Sequence, residues 1–522
     1  MKINREDSNT VFGFIEKRAK QQGTSIAIRF KGREDLSYAD LLTMINLFKQ
    51  QLNTLGLGRN DRIAIVSPNG PEMALAILSI MCTASCAPLN PKYTASELEY
   101  YLNDLNIKAV LVYQGAGKAI YDVADKLNIQ LIEMKVTNSD VIGEISLNAS
   151  KPATETLNLG PIQADDIALI LHTSGTTSRP KIVPLTQNNI CVSTWNIIDT
   201  LNIGNEDSCF NIMPLFHIHG IMAGLLTPIL SGGNVICSPG FAEDPFFISQ
   251  FFPWLLELKP TWYTAVPTMH QAILSSANKY PDITKQCQLK FIRSSSASLA
   301  PQVMFDLESK FNAPVIEAYG MTEASHQMAC NPLPPAEHKP KSVGLAAGPE
   351  VAIMNELGQK LTNDDVGEIV IRGENVMQAY ENNDEANKEA FFGDWFRTGD
   401  QGFMDEDNYL FLTGRLKELI NRGGENISPR EIDEVLLEHP AVAQAVAFSA
   451  PHPTLGEVPA AAVILHKDQI IDQKALQDFA AKKLAAFKIP NPIVFVDEIP
   501  KGPTGKLQRI GLADKILKTT EA

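Results

Sequence analysis

The chain has 522 residues, 44% of them apolar, which is more than one hydrophobic core usually supports and enough for several folded units. A formal charge of −15 without a large Lys/Arg cluster argues against a broad nucleic-acid surface and favours small-molecule chemistry. Seven scattered cysteines, odd in number and without paired C-x-x-C sets, suggest neither a disulfide framework nor a zinc site, as in a reducing compartment.

The opening Met1-Lys2-Ile3-Asn4-Arg5-Glu6-Asp7 lacks the apolar stretch of a secretory signal. From about residue 12 to 330, helix-like stretches alternate with short β-branched strands such as 62–66, 109–113 and 314–318, the rhythm of α/β units with largely parallel sheets. Two packed sheets fit that length. The longest apolar run, Met73 to Leu89, follows Asn69-Gly70-Pro71-Glu72 and contains Thr83 and Ser85, so it reads as a buried helix followed by a strand rather than a membrane span.

After the apolar run Ile167 to Leu171 comes His172-Thr173-Ser174-Gly175-Thr176-Thr177-Ser178-Arg179-Pro180-Lys181. Small donors with one flexible cation at the end can wrap a polyphosphate through backbone N–H groups, hydroxyls and a point charge. The P-loop of kinases and ATPases is excluded on spacing, because Pro180 rather than glycine precedes Lys181 and Ile182 rather than Ser/Thr follows it. A Ser/Thr-rich surface turn stays open on this segment alone.

Beyond Cys330 the texture changes: a stiff Asn331-Pro332-Leu333-Pro334-Pro335 connector leads into short strands such as 368–372, expected as a small β-barrel over about 331–414. The last hundred residues read as a separate α+β unit, with a helix at 430–437, strands at 442–448 and 460–465, and a helix at 473–484. Its boundary falls near Lys417, before the Gly423-Gly424 pair, where large backbone changes are cheap. The division is thus 1–416 and 417–522. The closing Lys518-Thr519-Thr520-Glu521-Ala522 is not a Ser-Lys-Leu peroxisomal address, and a cytoplasmic site is expected.

Four further blocks come after the loop in order: Tyr319-Gly320-Met321-Thr322-Glu323, then Trp395-Phe396-Arg397-Thr398-Gly399-Asp400 with Gly414-Arg415-Leu416-Lys417, then Arg422-Gly423-Gly424-Glu425-Asn426-Ile427-Ser428-Pro429, and Pro503-Thr504-Gly505-Lys506. Together they resemble the adenylate-forming superfamily of acyl-CoA synthetases through nearly the whole chain. The segments 214–220, 261–268, 291–294 and 321–326 resemble in particular the oxalyl-CoA synthetase (oxalate-CoA ligase) branch. The fold so implied is α/β: a large N-terminal domain of two α/β sheet subdomains plus a small β-barrel, followed by a smaller, mobile α+β C-terminal domain.

The resemblance implies ATP, Mg²⁺ and CoA as cofactors and a carboxylic acid as substrate, with no nucleic-acid partner. Thr173, Ser174, Gly175, Thr176, Thr177 and Lys181 would hold the β/γ-phosphates, and Glu323 with Thr322 would hold Mg²⁺, an ion that takes one or two carboxylates plus phosphate oxygens and water. Lys506 would bridge the acid and the α-phosphate, and His217 would belong to the common adenylation machinery. Asp400 would accept from both ribose hydroxyls, as an acceptor-only carboxylate does well, while Arg415 donates to the same sugar. Ser296, Ala297, Glu317, Ala318, Tyr319, Gly320 and Thr322 complete the implied nucleotide site.

For the second half-reaction, Lys417 marks the expected pivot, and Arg422, Gly423, Gly424 and Glu425 the pantetheine tunnel. His219, Arg293, Ser296 and His326 are the candidates for the acid, an unusual density of donors for a pocket that would otherwise accept a fatty tail. Each has a bland counterpart: a helix N-terminal acid at Glu323, a solvated turn lysine at 506, a surface ion pair at Asp400 and Arg415, core histidines bonded to backbone. Departures from the family pattern, Ser178, Ile182 and Asn408 in place of glycine, remove no charged catalytic group, and because asparagine tolerates left-handed backbone the turn at Asn408 should survive. A general short-chain, fatty or aryl acyl-CoA synthetase, an adenylation domain that loads a carrier protein, and a non-catalytic AMP-binding module remain the alternatives.

Overall fold

The computed structural model describes residues 3–150, 160–173, 180–241, 245–500 and 509–517. Its first sheet has seven strands, running in space Ile145–Ala149, Gln130–Val136, Ala109–Tyr113, Arg62–Val66, Ser85–Pro88, Ile167–His172 and Ile182–Thr186. The centre is parallel and both edges are antiparallel hairpins. The apolar run from Met73 resolves as foreseen into the helix Pro71–Met81, started by proline in its first turn, and the strand Ser85–Pro88. Both are buried throughout, as the covered strands of a parallel sheet must be.

The second sheet has nine strands, in the order Leu345–Ala346, His326–Cys330, Val315–Met321, Phe291–Ser295, Trp262–Ala265, Ser208–Asn211, Asn234–Cys237, Ile26–Arg29 and Leu36–Ser37. The helix Gln187–Thr200, started by a Thr186/Asn189 capping box, touches both sheets and joins the two layers. Its first residue, Gln187, is fully buried and satisfied at both ends: Oε1 accepts from the Val11 amide at 3.1 Å and Nε2 donates to the Met81 carbonyl at 2.7 Å.

The β-rich unit beyond the connector is a five-stranded antiparallel sheet of Glu350–Met354, Gly367–Arg372, Phe391–Phe392, Trp395–Met404 and Leu410–Arg415. It starts later than residue 331, because His326–Cys330 and Leu345–Ala346 add to the edge of the nine-stranded sheet instead. Asn408 adopts the left-handed backbone expected of it (φ 64°), closing the turn in which Asp405 Oδ1 accepts from the Tyr409 amide at 2.8 Å. After Arg415 the chain forms a smaller unit with its own core around Ile420, Ile427, Ile432, Leu436, Val463 and Leu476. There the helices Pro429–Leu437 and Gln473–Ala480 cover a five-stranded sheet. Gly423 and Gly424 (φ 61° and 99°) form the two-residue turn of the hairpin Ile420–Arg422/Glu425–Ile427, a geometry that needs positive φ at both central residues. Among the described residues no helix is long and apolar enough to cross a membrane.

Within the nine-stranded sheet, Val315–Met321 and His326–Cys330 form a tight antiparallel pair with a register shift between Tyr319 and Gly320. A Cβ at Gly320 would sit 1.7 Å from the His326 carbonyl oxygen, so only glycine admits that approach. Gly320→Ala should therefore cost on the order of 3 kcal/mol of unfolding free energy in urea titration, the upper range for overpacking a fixed backbone; a loss within error of zero would show that the hairpin can open.

Candidate active site

The Val315–Cys330 hairpin, the neck of the hydroxyl-rich loop and the small antiparallel sheet converge on one region. Asp400 lies in the long strand Trp395–Met404, opposite Arg415 in Leu410–Arg415. Only 5% exposed, its carboxylate accepts from the Tyr319 hydroxyl on Oδ2 and from Arg415 Nε on Oδ1 at 2.9 Å. Asp400 raises the affinity of the Arg415 guanidinium for its proton, and burial followed by the same carboxylate pushes the Tyr319 phenol well up. Asp400 and Arg415 do pair, with the guanidinium exposed, but the carboxylate is buried and has a second, aromatic partner. Thr398 orients the turn, its Oγ1 accepting from the Asp400 amide at 3.1 Å and donating to the Ile369 carbonyl at 2.7 Å.

The loop expected to take phosphates is the connection of the hairpin Ile167–His172/Ile182–Thr186. Ser174, Gly175, Thr176 and Thr177 lie outside the described residues, as does Ser178; Thr173 and Lys181 close the neck. The Thr173 amide donates to the Lys181 carbonyl at 2.9 Å, and Thr173 Oγ1 accepts from the Lys181 amide at 3.3 Å. Ile182 is a buried strand residue paired with His172, so this position needs no glycine. The Lys181 ammonium stands 4.1 Å from the centroid of the Tyr380 ring, and the Tyr380 hydroxyl donates to Glu323 Oε1 at 2.8 Å. Burial pulls the Lys181 ammonium below the ordinary lysine range, Glu323 opposes that shift, and Lys417 adds to it. Glu323 itself is buried in a short turn over Thr322–Ala324. For Mg²⁺ the donor chemistry fits: a buried carboxylate, with Thr322 beside it, in electrostatic reach of the loop neck.

The acid-site candidates form a second cluster. His219 Nε2 meets Thr264 Oγ1 at 2.6 Å and its Nδ1 meets Ser296 Oγ at 3.1 Å. Its ring stacks on His326 with centroids 4.9 Å apart. Ser325, His326 and Ser296 all hold positive φ (50°, 97° and 75°), an uncommon concentration for non-glycine residues. Arg293 is fully buried behind this pair: Nη1 lies 3.4 Å from both His219 Nε2 and Thr264 Oγ1, and Nη2 donates to Gln327 Oε1 at 3.2 Å. Among the described residues no Asp or Glu pairs with it, its Nε has no partner, and burial lowers its hold on its proton. Arg293 thus stands behind His219, with no exposed surface of its own. His217 is half-buried at the start of the short helix Ile218–Ile221, its ring against Phe216 at 4.7 Å.

The remaining candidates fall out unevenly. Ser296 is half-buried and Ala297 exposed, in the turn after Phe291–Ser295. Ala318 holds that turn in place by accepting from Ser295 Oγ at 2.9 Å. Glu317 is spoken for, accepting from the Leu299 amide at 3.0 Å, so it shapes the turn. Arg430 reaches the same turn from the C-terminal unit, with Nη2 2.7 Å from Ser298 Oγ. Lys417 is exposed in the short turn Leu416–Glu418 that joins the two units. Gly423 and Gly424 serve the hairpin turn, between Arg422 and an exposed Glu425. Lys506 lies outside the described residues. Sequence reasoning passed over Thr264 and Gln327, which sit within or beside the segments that carry the family resemblance, and Tyr380, an aromatic in a polar loop that only tertiary contacts single out.

Comparisons with known proteins give the family of the chain. The AMP-binding enzyme family matches residues 15–381, and its C-terminal domain family matches residues 431–506. An oxalate–CoA ligase from Arabidopsis thaliana is 43% identical over 98% of this chain and 99% of its own length. A probable CoA ligase, CCL9, from Humulus lupulus is 44% identical over 97% of each. Among solved structures, ATP-bound MatB from Rhodopseudomonas palustris superposes with a TM-score of 0.86 at 27% identity, covering 97% of this chain and 98% of its own. The chain belongs to the AMP-binding enzyme family, the adenylate-forming superfamily.

Burial pushes the Glu317 carboxyl up to about 7, against which the Leu299 amide works. The folded form then holds its proton where the unfolded chain, near 4.5, has lost it, so stability falls as pH rises between these values. Thermal denaturation of Glu317→Gln across pH 4.5 to 8 should lack that component of the wild-type decline; parallel curves for the two proteins would show that Glu317 does not titrate there.

Proposed function

We propose that the acid activated by this chain is oxalate. The chain is an AMP-forming acid–CoA ligase, using ATP and CoA with Mg²⁺ to convert a carboxylic acid to its thioester. The observation that carries the oxalate reading is Arg293: a guanidinium with no exposed surface and no carboxylate partner among the described residues, one hydrogen-bond step behind the stacked His219 and His326. A buried cation without a counter-ion is costly, and an anionic ligand next to its donor relay repays that cost. A monoacid with an alkyl tail would leave the cation uncompensated, whereas the second carboxylate of oxalate answers it. The curated oxalate–CoA ligase relative supports the same choice.

In the proposed chemistry one carboxylate oxygen attacks the α-phosphorus of ATP, the bond to pyrophosphate breaks, and an acyl adenylate results. Thr173 and Lys181, with the hydroxyls at 174, 176 and 177, hold the β/γ-phosphates, and Asp400 and Arg415 hold the ribose. Glu323, with Thr322, would hold Mg²⁺, whose charge would offset that of the phosphates. Fixed donors of this kind stabilise charge as it develops at no cost in reorganisation. Ser296 and the His219/His326 pair orient the free carboxylate. Lys506 bridges acid and α-phosphate, then leaves as the C-terminal unit turns about Lys417, so that the CoA thiol attacks the acyl carbon and AMP departs. Arg422, Gly423, Gly424 and Glu425 face the pantetheine path after that turn.

Three measurements test this reading. With oxalate, malonate, acetate, coumarate and octanoate supplied in turn, pyrophosphate release should be fastest with oxalate. Arg293→Met, close in length but uncharged, should raise the oxalate KM by at least about tenfold, the loss of one buried charge-assisted contact, while leaving acetate turnover unchanged; octanoate as the best substrate, or equal losses for both acids, would overturn it. Lys506→Ala should abolish adenylate formation yet leave thioester formation from supplied acyl-AMP largely intact, and equal loss in both half-reactions would refute the two-position role of that lysine.

A further inference from the structure

Tyr380 has no role in the adenylation and thioester chemistry above, yet it touches both charged groups at the phosphate end of the site. It is 5% exposed, with its hydroxyl on Glu323 Oε1 at 2.8 Å and its ring under the Lys181 ammonium at 4.1 Å. The segment that carries it is tied at each end to the backbone of one of those groups. The Met377 amide donates to the Glu323 carbonyl at 2.8 Å, and the Glu381 amide donates to the carbonyl of Ile182, next to Lys181, at 3.1 Å. Asn387 clasps Tyr380 itself, accepting from its amide and donating to its carbonyl, both at 2.8 Å. Arg62, from the seven-stranded sheet, holds Glu381 at 2.7 Å. So much restraint around one loop aromatic is not required by core packing, to which a phenylalanine would contribute equally.

We propose that Tyr380 is a positioning residue for the adenylation step, fixing one oxygen of Glu323 through its hydroxyl and seating the Lys181 ammonium on its ring face. The inference rests on the reading of Glu323 as the Mg²⁺ carboxylate and of Lys181 as a phosphate cation. A carboxylate with one oxygen committed to a phenol cannot rotate freely, so its other oxygen is presented in one direction. The ring quadrupole attracts the ammonium without supplying a counter-charge, so the cation stays near the loop neck and remains available to phosphate. A glutamate in place of the ring would neutralise it, and an aliphatic side chain would let it swing into solvent.

The test uses the whole enzyme with Tyr380→Phe, Tyr380→Leu and Glu323→Gln. Mn²⁺ binding in the presence of ATP is followed by electron paramagnetic resonance, beside ATP KM and kcat from oxalate-dependent pyrophosphate release. Tyr380→Phe should weaken Mn²⁺ binding by about tenfold, the loss of one hydrogen bond to a charged group, and leave the ATP KM at saturating metal unchanged. Tyr380→Leu should show the same metal defect and in addition raise the ATP KM by about threefold, the loss of the ring face. Unaltered Mn²⁺ binding in Tyr380→Phe, with Glu323→Gln strongly impaired, overturns the positioning role alone. Unaltered binding in Glu323→Gln overturns the metal reading of Glu323, and the proposal with it. A lowered ATP KM in Tyr380→Leu would mean that the ring withholds Lys181 from phosphate, which also overturns it.

Discussion

The close antiparallel contact between Val315–Met321 and His326–Cys330 is the constraint on which the site depends. Within this short stretch of chain lie Glu317 under the turn after Phe291–Ser295, Tyr319 on Asp400, Glu323 on Tyr380, His326 on His219 and Gln327 on Arg293. The hairpin thus touches the proposed ribose, phosphate and acid ends together. Its two strands approach so closely at Gly320 that a single methyl group would separate them. The turn between them passes through left-handed backbone at Ser325 and His326, conformations that L-residues hold only where the surroundings impose them. That imposition comes from the strand ladder, the Met377 amide on the Glu323 carbonyl and Asn375 Nδ2 on the Ala324 carbonyl at 2.9 Å.

Charge is handled in two different ways within a few residues of this hairpin. Asp400 is buried but answered, by a guanidinium and a phenol, so it is held in one orientation before any ligand arrives. Arg293 is buried and left without an anion among the described residues, with neutral donors and acceptors around it. The first arrangement fixes an acceptor in one orientation, as the proposed contact with sugar hydroxyls requires. The second leaves an electrostatic demand that a small dianion would satisfy, which is the physical basis of the proposed preference for a short diacid over an apolar tail. Lys181 stands between these cases, screened by an aromatic face and steadied by Glu323 at a distance.

The local texture of the chain was enough to foresee many elements at nearly their observed bounds. Helix Pro71–Met81 and the strands Arg62–Val66 and Ala109–Tyr113 follow from proline, apolar runs and β-branched residues, all of which act over a few residues. The left-handed turn at Asn408 was legible for the same reason. The start of the small sheet was not, because Leu345–Ala346 is extended either way and only its pairing partner decides which sheet receives it. The Gly423-Gly424 pair was legible as permissive backbone, while its use in a hairpin turn depends on the register of Arg422 with Glu425.

Residue identity and order alone singled out the candidate side chains: a hydroxyl-rich loop with its lysine, the Thr322-Glu323 pair, Asp400 with Arg415, and the donors His219, Arg293, Ser296 and His326. Those are properties of covalent sequence, and the family resemblance preserves them. Tertiary structure alone decided their ranks and partners. It set Arg293 behind His219 rather than at the pocket surface, gave Glu317 to the Leu299 amide, buried Asp400 against Tyr319, and brought Tyr380 between Lys181 and Glu323. Contacts between residues far apart in the chain depend on how sheets stack and where strands align, and no spacing rule along one segment contains that information.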